Sequence, residues 1–226
     1  MNNAKYLIFA TKNHPLYEEL KASGEKFIDL SSNADFESND NRYQSCEAIF
    51  DFSLVDKESK YNFLRNLSIE YKAPIISDLT CYWGDYFLGK FPRIKGALST
   101  VYYTPTKKHE CYASDDETFE IIQDFMTMLS RSLHRVRSPG LGFIFARTLS
   151  LIINEAYFSL EDGLATAKDL DTALKYGVNY PLGAIEWGQK CGLNNIVMLL
   201  DELYSMSGDN RYRASLELRK LAALQS

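Results

Sequence analysis

Through residue 137, short apolar runs alternate with amphipathic helical patterns, and this alternation constrains the fold more than any other feature. "KYLIFA" leads into "HPLYEELKAS", with Gly24 as the expected stop, and "EKFIDL" follows. "CEAIFDFSL" reads as a buried strand before the amphipathic "VDKESKYNFLRNLSIEY". "APIISDL" and the β-rich "KGALSTVYY" come next. "DDETFEIIQDFMTMLSRSL" predicts a helix with acids at its start and arginines near its end, as the helix dipole favours. The polar "SSNADFESNDNRYQS" between the second and third strands reads as a loop. Strands alternating with helices predict a parallel sheet with helices packed on it.

From Ser138 the texture changes: strand signals stop and four or five helices follow. "GLGFIFARTLSLIINEAYFSLEDG" is apolar on most faces, which predicts a helix buried all round or set in a subunit interface. "TAKDLDTALKYG" carries a capping box, Thr166 with Asp169, and a stop at Gly177. "PLGAIEWGQKCG" places a proline at the expected first helical position. "NNIVMLLDELYSMSG" and "RASLELRKLAAL" complete the set. The reading is α/β followed by all-α, with domains at 1–137 and 138–226.

Charge and cysteine usage narrow the partners. The net charge is −5 with no dense basic stripe, which argues against nucleic acid. The densest basic run, "SRSLHRVRSP", reads as cations at a helix C-terminus rather than as an anion site. No apolar run approaches the ~20 residues of a membrane span. "YLIFA" is too short for a secretory signal, and the four cysteines are far apart. Reduced thiols in a cytoplasmic protein are expected, and no Cys or His pair has the spacing of a metal site.

The motifs of the second half resemble those of the 3-hydroxyacyl-CoA dehydrogenase family. They run in consistent order: Asn154-Glu155-Ala156, Glu161-Asp162-Gly163, Asp169-Leu170-Asp171, Gly177, Tyr180-Pro181-Leu182-Gly183, Cys191-Gly192-Leu193 and "GDNRYRAS". The first half is similar only loosely, through "AIFDFSLVDKESKYNFLRNL", "IISDLT", "KGALSTVYYTP" and "SPGLGFIFARTL". The resemblance implies a shortened Rossmann-like parallel-sheet domain followed by a helical C-terminal-type domain. In the family that helical domain closes one side of the substrate cleft and makes the dimer contact.

The family reaction oxidises a secondary alcohol with NAD, and its parts can be sought residue by residue. The glycine-rich phosphate turn is replaced by "ATKNHPLYE", where side chains crowd the backbone and Pro15 removes an N–H. Asp29 ends the second strand about where a ribose-binding acid belongs, but it reads first as a strand-end or turn aspartate. Lys12 or His14 could meet a phosphate only in a site unlike the family's. The base position falls on Leu98 when matched from Gly96 and on Val101 when matched from Pro105; neither can take a proton. His109 reads as an exposed loop histidine, and as adjacent strand residues His109 and Glu110 would point to opposite faces. Glu110 falls near the family's glutamate, and Thr80 near its serine. Ala146 stands where an amide is needed, and Arg147 matches the motif's arginine, read mainly as an ion pair between domains. Asp78, Glu110 or Tyr102 could support a different chemistry.

Losing a general base costs about 10²–10⁴-fold in rate, whereas losing the phosphate turn removes the hydride acceptor itself. The expectation is a degenerate family member, a binding or scaffold protein with no cofactor, homodimeric through its helical half and open to an acyl-CoA. The alternative is an active NAD-dependent enzyme of fatty acid metabolism with atypical site residues.

Overall fold

A computed structural model describes residues 4–31 and 46–225. The polar stretch read as a loop lies, apart from Ser31, outside the described residues. The chain forms two compact units. The first comprises residues 1–79, 83–100 and 107–140; the second comprises residues 80–82, 101–106 and 141–226.

The first unit is built on a seven-stranded sheet. In chain order its elements are β1 (Tyr6–Ala10), α1 (Tyr17–Lys21), β2 (Lys26–Asp29), β3 (Ala48–Phe52), α2 (Lys57–Glu70), β4 (Ile75–Asp78), α3 (Gly84–Lys90), β5 (Ile94–Ser99), β6 (Lys108–Ala113), α4 (Asp116–Met128) and β7 (Ser132–Arg135). The strand order is β2-β1-β3-β4-β5-β6-β7. The first five strands are parallel, β6 runs antiparallel to β5, and β7 is parallel to β6. Order reverses between β1 and β3, the switch point where open α/β sheets receive ligands.

Period-two alternation sorts the strands between two layers of helices. Tyr6, Ile8 and Ala10 of β1 and Ala48, Phe50 and Phe52 of β3 join the core beneath α1 and α4. The rings of Phe50 and Phe125 stack at 3.8 Å and hold α4 on the central strands. Gly96 allows this close fit, because a Cβ there would stand 2.6 Å from Cδ1 of Ile122. On the opposite face, Phe9 meets Phe63 of α2 at 5.4 Å.

The buried stripe of α2 reads Lys60, Leu64, Leu67, so a lysine occupies a core position. Asp51 of β3 neutralises it: Nζ lies 2.7 Å from Oδ2, with both side chains wholly buried. Lys60 also donates to the Ser53 carbonyl (2.8 Å) and hydroxyl (3.1 Å). Asp51 accepts from Ser53 N–H (2.9 Å), Ser53 Oγ (2.6 Å) and Ser77 Oγ (2.6 Å). Every lysine proton therefore has an acceptor, which offsets the desolvation of both charges.

Several elements differ from the sequence reading. α1 is only five residues long, because Pro15 and the turn before it delay helix entry. α4 ends at Met128 with no cation in its last turn, and the basic run instead lies on and around the edge strand β7. α3, β6 and β7 carry weak local signals and were not expected; their pairing to the sheet defines them.

The second unit holds α5 (Phe145–Glu161), α6 (Ala167–Thr172), a π-helical turn (Ala173–Gly177), α7 (Ala184–Cys191), α8 (Leu193–Ser207), a 3-10 turn (Asn210–Tyr212) and α9 (Leu216–Leu224). The capping box of Thr166 and Asp169 is present. Pro181 stays outside α7, whose N-cap is Gly183. α5 buries one face, including Leu149, Ile153 and Tyr157, and leaves Arg147 and Glu155 exposed, so it is not buried all round.

Replacing Lys60 by Met strands the Asp51 carboxylate in the core and is expected to cost about 3–5 kcal/mol. Urea unfolding should show this loss, and Asp51→Leu added to Lys60→Met should recover most of it.

Candidate functional site

The carboxyl edge of the sheet in the first unit is the place to look for ligand chemistry, and β1 delivers the segment Thr11–Leu16 to it. This turn is bonded internally and to its neighbours. Thr11 Oγ1 accepts from Leu54 N–H (2.9 Å), and Asn13 Nδ2 donates to the Leu54 carbonyl (2.8 Å). The exits of β1 and β3 are thus tied together across the switch point. The turn's own amides are also engaged. Lys12 N–H donates to Ser31 Oγ (2.7 Å), His14 N–H to the Thr11 carbonyl (2.9 Å) and Tyr17 N–H to the His14 carbonyl (3.0 Å).

His14 turns inward and is 2% exposed. Its Nδ1 accepts from Leu16 N–H (3.2 Å), so the ring proton sits on Nε2 and faces Asp78 Oδ2 at 3.3 Å. That oxygen also accepts from Thr100 N–H (2.9 Å) and from the Thr100 hydroxyl. His14, Asp78 and Thr100 come from the ends of β1, β4 and β5 and form one buried knot. The first turn of α1 adds Glu18 and Glu19, and the charge of Glu18 opposes an incoming phosphate. Asp29 accepts from Ser31 N–H (2.8 Å) and lies 3.8 Å from Lys12 Nζ. Its carboxyl is held below the usual range chiefly by the Ser31 bond and the Tyr17 hydroxyl, against the opposing effect of desolvation.

His109 is not an exposed loop residue: it lies on β6 and is 3% exposed. Arg131 Nη1 donates to its Nε2 (2.9 Å), so Nδ1 carries the proton and donates to the Ser99 carbonyl (3.1 Å). Arg131 Nη2 reaches both carboxylate oxygens of Glu19, at 2.8 and 2.9 Å. Burial, then the adjacent guanidinium, lowers the His109 pKa to about 4. Two arginines of the basic run are likewise in use, Arg131 here and Arg135 with Asp116 at 2.6 Å. Glu110, next to His109, is half-buried and sits opposite Ser99 on β5 and His134 on β7. Leu98 is a fully buried residue of β5.

Five sequence-derived positions fall in the second unit. Thr80 is buried, and its Oγ1 lies 3.4 Å from Val101 N. Val101 is packed in the core, and Ala146 is fully buried on α5. The Tyr102 hydroxyl meets Ser150 Oγ at 2.6 Å, and burial raises its pKa well above the usual value. Arg147 bonds the Tyr212 hydroxyl and lies over that ring at 5.1 Å; its partner is a phenol, not a carboxylate across domains.

The motifs of the helical half are clamps. Asn154 donates to the Arg213 carbonyl (2.9 Å) and accepts from Ser215 N–H (2.9 Å). Glu161 accepts from Leu216 N–H (2.9 Å) at the start of α9. Asp171 accepts from Ile185 N–H (2.8 Å) in the first turn of α7 and passes over Gly183, where a Cβ would stand 2.1 Å from its Oδ1. Among the described residues, no three His, Cys, Asp or Glu side chains group as metal ligands.

The chain thus has one unit built on a Rossmann-like sheet and one built of helices. Residues 142–226 match the family model described as 3-hydroxyacyl-CoA dehydrogenase, C-terminal domain. The chain is 44% identical over 85 residues to the 3-hydroxyadipyl-CoA dehydrogenase of Escherichia coli, a match covering 38% of this chain and 18% of that one. It is 34% identical over 142 residues to the human mitochondrial hydroxyacyl-coenzyme A dehydrogenase, covering 62% of this chain and 42% of that one. The latter match is longer than the helical segment and so continues into the sheet half. Among solved structures, Mycobacterium tuberculosis FadB2 superposes with a TM-score of 0.68 at 16% identity, over 93% of this chain and 78% of that one. The (S)-3-hydroxybutyryl-CoA dehydrogenase of Ralstonia eutropha gives 0.65 at 19% identity, over 88% and 70%. Residues 142–226 thus carry the C-terminal domain of the 3-hydroxyacyl-CoA dehydrogenase family, and the chain shares the fold of that family's solved structures. It spans less than half the length of these two curated relatives.

His109 supplies a pH test. Its folded pKa, about 4, lies below the ordinary 6.5, so the unfolded chain binds the extra proton first. Stability is full above pH ~6.5 and declines toward pH ~4, by on the order of 3 kcal/mol. Denaturant unfolding across this window should show the decline. In His109→Gln the slope should flatten, and an equally steep profile would remove His109 as its cause.

Proposed function

We propose that this protein is a degenerate member of its family, acting as a binding or scaffold protein rather than as an NAD-dependent oxidoreductase. One observation carries the reading: the turn after β1 uses its amides and side chains on its own neighbours. A dinucleotide diphosphate needs bare main chain and free N–H groups at a helix N-terminus. Here Lys12, His14 and Tyr17 have spent those groups, and Thr11 and Asn13 bridge to Leu54. His14 is locked on Asp78, and α1 opens with two glutamates. These residues do not fit the cofactor that the family's reaction requires.

The missing base supports the same reading. Leu98 and Val101 are both buried hydrocarbon, and Ala146 offers no amide. His109 is committed to Ser99 and Arg131 and cannot replace them. The activities of the relatives favour the alternative, an active 3-hydroxyacyl-CoA dehydrogenase, and Thr80 would then provide the hydroxyl. Titration with NADH is expected to give no fluorescence enhancement, and acetoacetyl-CoA with NADH no loss of absorbance at the nicotinamide band. Binding with turnover would overturn the proposal. An acyl-CoA that raises the melting temperature in the absence of NAD would identify the retained ligand, since about hundredfold excess over Kd adds about 2.7 kcal/mol.

The helical unit also supports pairing with a second copy. Leu164, Tyr176, Val178, Leu216 and Leu224 are each at least 60% exposed and are apolar side chains that a second copy could cover. Light scattering at micromolar concentration is expected to give twice the 25.9 kDa chain mass, and a monomer would refute the pairing.

A further inference from the structure

The first unit has a second concave feature, at the amino edge of its sheet and away from the switch point. It is an open depression of about 590 Å³ formed by the last turn of α2, the entry to β4 and the connection from α3 into β5. Ala73, Pro74, Phe91 and Pro92 supply apolar walls, and Lys72, Arg93 and Lys95 supply three positive charges. The volume lies within the range of about 300–1,000 Å³ usual for small-molecule sites.

The cations differ in how they are held. Arg93 donates from Nε to the Ser68 carbonyl (3.1 Å) and from Nη1 to the Lys72 carbonyl (2.7 Å). These bonds satisfy the frayed end of α2 and fix the guanidinium at the rim, so little rotamer freedom remains to be lost on binding. Lys72 and Lys95 are exposed. Among the described residues none of the three has a carboxylate within ion-pair distance, although the chain carries a net charge of −5. The acid that senses Lys95 is Asp115, and it is occupied in capping α4 through Thr118 N–H (2.7 Å).

We propose that this depression binds a small phosphorylated molecule with an apolar or aromatic body. The body seats on Pro74, Phe91 and Pro92, and the phosphate faces Lys72, Arg93 and Lys95. A phosphate monoester carries about −1.5 to −2 at neutral pH and can compensate more than one of these cations, whereas a carboxylate compensates one. The apolar walls add desolvated contact that inorganic phosphate cannot use. This site shares no residue with the turn after β1, so it stands or falls separately from the degenerate-enzyme reading.

Phenyl phosphate is a suitable probe, titrated into the full ¹⁵N-labelled chain and followed by amide chemical shifts. Saturable shifts are expected at residues 68–73 and 91–95, with an affinity about tenfold above that for inorganic phosphate, benzoate or benzyl alcohol. Lys72→Glu and Lys95→Glu, both exposed, should each weaken binding about fivefold or more while leaving the melting temperature within a few degrees. Arg93 is left intact because it also caps α2. Shifts that never saturate, equal affinity for inorganic phosphate, or unchanged affinity in both folded lysine variants would each overturn the proposal.

Discussion

The hydrogen bond between His14 and Asp78 organises the carboxyl edge of the sheet. An aspartate buried to 1% exposure needs donors for its charge, and here it gets an imidazole N–H, an amide and a hydroxyl. Supplying that imidazole requires the chain after β1 to turn inward instead of rising into a helix. The short α1, the engaged amides and the bridge to Leu54 follow from that turn. A glycine-rich turn keeps the same space open by having no side chain to fill it.

A second polar knot, Asp51 with Lys60, Ser53 and Ser77, is built on β3 and β4, strands that lie among those of the first. Each knot satisfies itself, so neither leaves a donor for a substrate among the bonds described. Such networks are costly when half made and specific when complete. The hydrophobic layers of the sheet unit and the clamps of the helical unit are held by contacts separate from either knot.

Those clamps explain why the helical half is more readily recognised than the sheet half. Asn154, Glu161 and Asp171 each reach across sequence to backbone N–H groups at the start of another segment, and Gly183 leaves room for one of them. Each contact demands one side-chain type at one position. The sheet demands only apolar residues of suitable size in alternation, which many sequences satisfy.

The chain's own order of residues determined the alternation of strand and helix, the change to helices after residue 137, the capping box at Thr166 and the absence of glycine after the first strand. These are local properties, set by side-chain period, backbone freedom and neighbouring donors. Tertiary structure decided the rest. His109 read as an exposed loop residue because nothing within its own segment reveals that Ser99 and Arg131 close over it. The arginines after Met128 read as a helix end because only sheet pairing makes β7 a strand. His14 read as a possible phosphate contact, and only the assembled sheet shows Asp78 and Thr100, from β4 and β5, taking its ring instead. In each case the deciding partner lies tens of residues away, and its position depends on the whole sheet being assembled.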